Sequence, residues 1–460
     1  MNKKVILVFL FAFLIRLIAL DQSLWLDEAT TAKVIQNYNY SEIITKFSPL
    51  DFHPPLYYLF MKFWTNIFGY SEISLRIPSV LFSLMTGYVV YLIGGIWSAI
   101  FFLFNPLIVY YSQEARMYLM ATFFLTVALY FFISNIKNQK SKIHIKNQIF
   151  FLLFCTLALL TFYGSVFLIA AFLLCFLYKR QYKNLFICLF VVFVDFLLVS
   201  PLLHQQLINA KISMTNVTNW SYVLGKANVK NLLLIPIKFS IGRIDFYPKW
   251  IYYFISGLWS LFVFSILFNN LKLKIEDSLK IENFKLKILL LYLFTFPLIL
   301  GFIISFFTPL LQYFRFIYLI PIMAILLSFS LSDKADRQPP RLRRQGLAIA
   351  MGFLVFSLVY LLFPQFHRED WKSLVKSLPS DKSVYMILSS SDPVKYYHPN
   401  LLIKELRIAD YELKDKKILV IPYTADIHGL DYQKLLQEKK FSLTNKKSFR
   451  GLILEEYSRQ

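Results

Sequence analysis

The sequence predicts a polytopic α-helical membrane protein with about eleven transmembrane helices, interfacial helices in the first outer loop, and a small C-terminal α/β domain on the outer face. Three observations predict it. Hydrophobic residues make up 57% of the 460-residue chain and the mean hydropathy is +0.54, more apolar surface than one soluble core of this length can hide. The apolar residues come in runs close to the ~20 residues that cross a bilayer. Lys and Arg fall mostly in short gaps between those runs, so the net charge of +22 reads as topology signalling by cytoplasmic loops and not as a nucleic-acid footprint.

The elements follow in chain order. Residues 5–20 form a first span whose N-terminus Lys3 and Lys4 hold in the cytoplasm. No small-x-small cleavage site follows it, and the next residues, Ser23 to Glu28, are bulky, so the segment reads as a retained anchor. Residues 21–75 are too polar to span but carry aromatic stretches, Leu56 to Met61 and Phe63-Trp64, suited to helices lying in the interface. The apolar block 77–110 holds two spans joined near Gly94-Gly95, a turn without basic residues. Residues 111–116 return outside. Spans follow at 117–136, 149–163, 165–178 and 185–203, with the basic segments Lys137–Lys146 and Lys179–Lys183 inside. A long outer loop, 204–249, contains a short apolar piece, Leu232–Ile237, that reads as re-entrant or interfacial. Spans at 250–269, 288–306, 314–331 and 347–363 complete the bundle, with Lys272–Lys287 and the arginines 337, 341, 343 and 344 inside. The pattern puts the N-terminus in the cytoplasm and the C-terminus outside.

From Pro364 the composition changes. Two units are therefore expected, a membrane domain over 1–364 and a soluble extracytoplasmic α/β domain over 365–460. Val384–Leu388 and Ile418–Ile421 read as buried strands, and Tyr432–Lys440 as a helix. Cys155, Cys175 and Cys188 all lie in apolar runs without metal-like spacing and read as small buried hydrophobes.

Polar groups that could carry chemistry gather at the outer ends of the spans: Asp27-Glu28, His53-Pro54-Pro55, Arg76, Tyr111 to Arg116, and Gln312 to Arg315. Ionisable groups beside a bilayer are costly unless paired, solvated or used. Plain structural readings stand beside the functional ones. Asp27 and Glu28 could cap a helix, Glu114 and Arg116 could pair with each other, Arg76 and Arg315 could pair with an acid or snorkel to headgroups, and His53 could be a structural histidine.

The runs Ser23-Leu24-Trp25-Leu26-Asp27-Glu28, His53-Pro54-Pro55-Leu56-Tyr57-Tyr58, Ser74-Leu75-Arg76-Ile77-Pro78-Ser79 and Tyr110-Tyr111-Ser112-Gln113-Glu114-Ala115-Arg116-Met117-Tyr118 resemble the protein mannosyltransferase/aminoarabinose transferase superfamily of GT-C fold glycosyltransferases, the glycosyltransferase family 39-like branch. Tyr313 to Tyr318 resembles that branch's arginine-bearing span, and Arg368-Glu369-Asp370-Trp371 the start of its outer domain. The likeness is dense over about residues 20–120 and thin from 120 to 305. It implies inverting transfer of a sugar from a polyprenyl-phosphate carrier to an acceptor hydroxyl on the extracytoplasmic face. It implies Asp27 as general base, with Glu114, and Glu28 as a second candidate, orienting the acceptor or steadying positive charge on the sugar ring. Arg315 and Arg116 would bind the donor phosphate. His53 would assist as a donor or hold a divalent cation such as Mg2+ or Mn2+ with nearby carboxylates, although no metal is expected to be obligatory. The expected setting is the cytoplasmic membrane of a bacterium or archaeon; a protein of the endoplasmic reticulum would obey the same charge rule. The rival reading is a transporter or lipid flippase, which would place charges mid-membrane, often in repeated halves; Asp195 is the one clear acid inside a span, and no repeat is visible. A polyprenyl-sugar polymerase or ligase, or a non-catalytic anchoring protein, are further alternatives.

Overall fold

The computed structural model describes residues 3–137, 143–268, 278–331, 340–379, 383–406 and 416–459. The expected basic segments 137–146, 272–287 and 332–346 lie partly outside these residues. The described chain is mostly helical and closes with a five-stranded sheet. Among the described residues seven helices are long and apolar enough to cross a membrane: Glu72–Leu103, Tyr118–Ile136, Tyr182–Asn216, Lys249–Phe268, Lys285–Ile304, Tyr313–Leu331 and Leu342–Leu362. The difference from the larger number read in the sequence has a physical origin. The first helix, Lys3–Leu17, has 15 residues, Ile145–Thr161 and Tyr163–Tyr178 are short, and Glu72–Leu103 is one assigned element that turns back on itself.

That turn lies at Gly95, where φ is +79°, a conformation that a residue without Cβ adopts freely. Residues equally far on either side of it are neighbours. A Cβ placed on Gly87 would lie 2.5 Å from the Leu103 side chain. Arg16 of the first helix bonds both arms at once, donating from Nε to Ser83 Oγ at 2.9 Å and from Nη2 to the Leu103 carbonyl at 2.7 Å. The expected pair of segments joined near Gly94-Gly95 is therefore present as a helical hairpin. Its second arm restarts at Asn105-Pro106, where the Asn105 side chain accepts from the Leu107 and Ile108 amides, an N-cap followed by proline at N1.

Beyond the hairpin, Tyr182–Asn216 continues as helix well past the expected end of its span. Part of the segment expected to be an outer loop is likewise helical, Val229–Ile241. Pro236 sits inside that helix, and Gly242, with φ +73°, ends it. The residues expected to open the tenth span form instead a 3₁₀ stretch, Tyr313–Leu319, that leads into the helix Ile320–Leu331.

The C-terminal sheet uses strands β1 (Val384–Met386), β2 (Ile403–Glu405), β3 (Lys417–Val420), β4 (Phe441–Phe449) and β5 (Leu452–Arg459). Their order is β2-β1-β3-β5-β4, with β1 parallel to both neighbours and β5 antiparallel to β3 and β4. Alternation sends Val384 and Met386 to one face, with Trp371, Leu374 and Val394 of two short helices, and Tyr385 and Ile387 to the other, with Leu436 of the helix Tyr432–Glu438. The sheet thus has its own two-sided core, separate from the helical core. It rests on the first long loop through Thr30 Oγ1 donating to Asp392 at 2.7 Å, Tyr396 donating to the Tyr70 carbonyl at 2.7 Å, and a 2.8 Å Lys372–Glu72 pair.

Candidate active site

The chain ends of many helices meet at one end of the bundle, and the candidate residues come with them. The helix Leu26–Asn37 follows the first helix closely and is capped at its N-terminus by a box in which Glu28 reaches back to the Trp25 amide. Glu28 does more than cap. Arg76 grips it in a bidentate pair, Nη2 to Oε2 at 2.6 Å and Nε to Oε1 at 2.9 Å. The same guanidinium donates to the carbonyls of Leu20, Gln22 and Ser23. Oε1 also accepts from the Ala115 amide at 2.7 Å. Glu28 and Arg76 are fully buried, 0% and 1% exposed, so the pair fixes three segments against each other.

Asp27, one residue earlier, points the other way. Its carboxylate is 38% exposed and lies 3.5 Å from the buried guanidinium of Arg116. Arg116 Nη1 also donates to the Asp27 carbonyl at 3.4 Å, and its Nε is buried without a partner. Glu114 does not pair with Arg116. Its Oε1 accepts two bonds from Arg368, Nε at 3.1 Å and Nη2 at 3.0 Å, while Oε2 is buried without a hydrogen-bond partner. Ser79 Oγ holds the Glu114 carbonyl at 2.6 Å.

His53 lies at the edge of this group. Its Nδ1 is 3.3 Å from Asp51 Oδ2, which also accepts from the Tyr58 hydroxyl at 2.8 Å. Burial works to raise the Asp51 carboxyl, but the charges of His53 and then Arg116 hold it below its usual range. Arg315 is partly buried, donates from Nη1 to the Pro309 carbonyl at 3.2 Å, and lies near the Tyr118 phenol. Tyr118 lies within electrostatic range of Arg116, Asp27, Arg315 and Glu114 alike.

Sequence reasoning missed two cations. In the sequence Arg368 stands only in the run that opens the C-terminal domain. Arg243 lay in the long loop 204–249 and carried no local signal beyond the helix-ending Gly242 beside it. Gly242 is the reason Arg243 reaches the site: a Cβ there would stand 2.9 Å from Pro106, and this close approach sets Arg243 against Tyr110. Its Nη1 donates to the Tyr110 hydroxyl at 3.0 Å, and its guanidinium carbon is 5.0 Å from that ring's centroid. Arg368 lies 5.7 Å from the same ring. Among the described residues Arg243 and Arg315 have no carboxylate partner.

Asp195, the acid inside a span, accepts from Thr156 at 2.8 Å across two helices, far along the chain from every residue above. Among the described residues no group of three or more His, Cys, Asp and Glu comes together to hold a metal ion. The carboxylate oxygens nearest His53 already accept from Tyr58 and His53 itself, and those of Glu28 accept from Arg76 and backbone amides.

A mostly helical body with a hairpin-bearing N-terminal half, a cluster of arginines and carboxylates drawn from its loops, and a small sheet domain packed on the first of those loops fit one class: a GT-C fold protein. The comparisons agree. Residues 52–204 match the family model described as dolichyl-phosphate-mannose-protein mannosyltransferase, and the resemblance to the mannosyltransferase/aminoarabinose transferase superfamily stands on that match together with the fold. The chain is similar over 98% of its length to ArnT from Cupriavidus metallidurans, covering 97% of that chain at 11–12% identity, with TM-scores of 0.59 for the apo state and 0.57 for the form bound to undecaprenyl phosphate. It is also similar to the archaeal oligosaccharyltransferase AglB from Archaeoglobus fulgidus in complex with an inhibitory peptide and a dolichol-phosphate. That likeness has a TM-score of 0.50 and 12% identity over 98% of this chain and 74% of that one. No curated protein matches the chain.

Proposed function

We propose that this protein is a membrane glycosyltransferase that moves a sugar from a polyprenyl-phosphate carrier to an acceptor hydroxyl on the extracytoplasmic face, with inversion. The observation that carries the reading is a partly exposed carboxylate, Asp27, paired with Arg116 at 3.5 Å, together with two further arginines, Arg243 and Arg315, whose hydrogen bonds go to a phenol and a carbonyl and to no carboxylate. A cleft short of negative charge suits an anionic ligand, and arginine's fork suits a phosphate. Undecaprenyl phosphate and dolichol-phosphate on the similar proteins support a lipid-linked phosphate as that ligand.

The step needs no covalent intermediate. Asp27 takes the proton of the acceptor hydroxyl as its oxygen bonds to the anomeric carbon. The bond from that carbon to the phosphate oxygen breaks, and its electron pair leaves on the polyprenyl phosphate. Arg243 and Arg315, with Arg116, hold the leaving phosphate, and His53 assists at the edge. Arg116 also keeps the Asp27 carboxylate turned toward the acceptor. Glu114, through its unpartnered Oε2, orients the acceptor or steadies positive charge on the sugar. Glu28 serves as a support that fixes its neighbour Asp27, since its own oxygens are occupied. No obligatory metal takes part. The membrane unit 1–364 would provide the chemistry and the unit 365–460, extracytoplasmic like the site, would cover it, in a multi-pass protein of the cytoplasmic membrane with a cytoplasmic N-terminus.

The test is release of polyprenyl phosphate by the purified protein in nanodiscs, from a panel of polyprenyl-phosphate sugars, with and without chelator. Asp27→Asn is expected to slow release by ~10²–10⁴-fold with the protein still folded. Near-normal turnover in that variant would remove Asp27 as the base, and loss of wild-type turnover in chelator would overturn the metal-free chemistry.

A further inference from the structure

Resting on the reading of Glu114 and Asp27 above, the geometry points to Arg368 as a positioning residue through which the C-terminal domain completes the active site. Arg368 lies beyond the last membrane helix, yet its side chain turns back into the cleft. Nε and Nη2 both donate to one oxygen of Glu114, Oε1. That leaves Oε2 unpartnered, its lone pairs free for a substrate hydroxyl or ring. The same guanidinium stacks on Trp25, 3.7 Å from the ring centroid. Trp25 is the N-cap of the helix that carries Asp27 two residues later. One cation therefore clamps both carboxylate-bearing segments, the hairpin's outer turn and the first-loop helix.

The clamp is anchored in the sheet domain rather than in the membrane helices. Arg450, at the turn between β4 and β5, donates from Nε to the Arg368 carbonyl at 2.7 Å, and its own carbonyl accepts from the Asp370 amide at 2.9 Å. Gly451 beside it has φ +71°, and a Cβ there would come within 3.1 Å of Glu369. Trp371, three residues past Arg368, is wholly buried in the sheet domain's core. The position of the Arg368 backbone is thus set by the terminal hairpin. Without that hairpin Glu114 would lose the hydrogen bonds that settle which oxygen faces the substrate.

The experiment is steady-state sugar transfer by the full chain in nanodiscs, comparing wild type with Arg368→Ala, Arg368→Lys and Arg450→Gln. A misplacement of the acid is expected to lower kcat by ~10²-fold in Arg368→Ala, with the KM for the lipid donor changed less than about threefold. Guanidinium ion added in solution restores at least part of that loss, which a role limited to holding the domain would not allow. Arg450→Gln gives a smaller fall in kcat of the same kind. A kcat for Arg368→Ala within about threefold of wild type overturns the inference, as does a loss confined to donor KM. Should Arg368→Ala fail to fold, Arg368→Lys decides: normal kcat with the two-donor contact gone overturns it, and a kcat loss with donor KM nearly unchanged supports it. If wild type transfers no sugar from any donor, the underlying glycosyltransferase reading fails instead, and the positioning role falls with it.

Discussion

The acids and the cations of the cleft are held in opposite ways. The acid-bearing segments, 20–30 and 111–116, are locked by charge-assisted bonds, Glu28 to Arg76 and the Ala115 amide and Glu114 to Arg368, and by the neutral Gln113 amide donating to the Arg16 and Ile18 carbonyls. The cations supplied from farther along the chain, Arg243 and Arg315, are held by a phenol, a ring face and a carbonyl. Such contacts position a guanidinium without neutralising it. The difference teaches which side of the cleft is finished and which waits for a ligand. A neutralised wall is scaffold; a cationic wall with only neutral partners has binding capacity left.

Breaking the scaffold side should cost most. Arg76→Leu leaves Glu28 buried and unpaired, and a loss of ~3–5 kcal/mol in reversible detergent unfolding is expected. The double variant Arg76→Leu with Glu28→Leu should recover a good part of it, because no charge is then stranded. Equal losses in single and double variants would mean that the pair is not what locks these segments. On the open side the expected effect is smaller and of another kind. Arg243→Gln should leave unfolding within about 0.5 kcal/mol of wild type yet weaken binding of polyprenyl phosphate by ~10–100-fold. Unchanged lipid affinity, measured by competition in nanodiscs, would erase the contrast between the two walls.

The legibility of the two sides in the sequence follows the same division. Asp27, Glu28, Arg76 and Glu114 stand out because charged groups beside apolar runs demand an explanation, and their motifs lie within about 95 residues of each other. The sequence could not separate Asp27 from Glu28. They are adjacent, chemically alike and both in a helix's first turn; only the helix's facing turns one to Arg76 and the other to solvent. Nor could it pair Glu114 with Arg368 across 254 positions. Arg243 was hidden among other basic residues in a loop that topology alone explained. The strands β1 and β3 were readable as short apolar runs, whereas β4 was not, because its edge position leaves most of its side chains polar and exposed. The hairpin at Gly95 was readable from two glycines in an apolar block, even without a basic loop to mark it.

Arg16 has a consequence for the order in which the chain is made. Its partners Ser83 and Leu103 lie 67 and 87 positions downstream. When the first helix leaves the ribosome the guanidinium has only the Ala12 carbonyl of its own helix, 2.7 Å away. At that moment it must reach for water and headgroups at the bilayer edge. It can turn inward only after the hairpin has been delivered. The contacts that hold the inner face of the first helix in the finished structure are thus supplied by residues made well after it. Cysteine labelling at Asp21 in chains stalled before and after the hairpin should report two depths for wild type and a single depth for Arg16→Leu; one common depth in wild type would show that the first helix settles on its own.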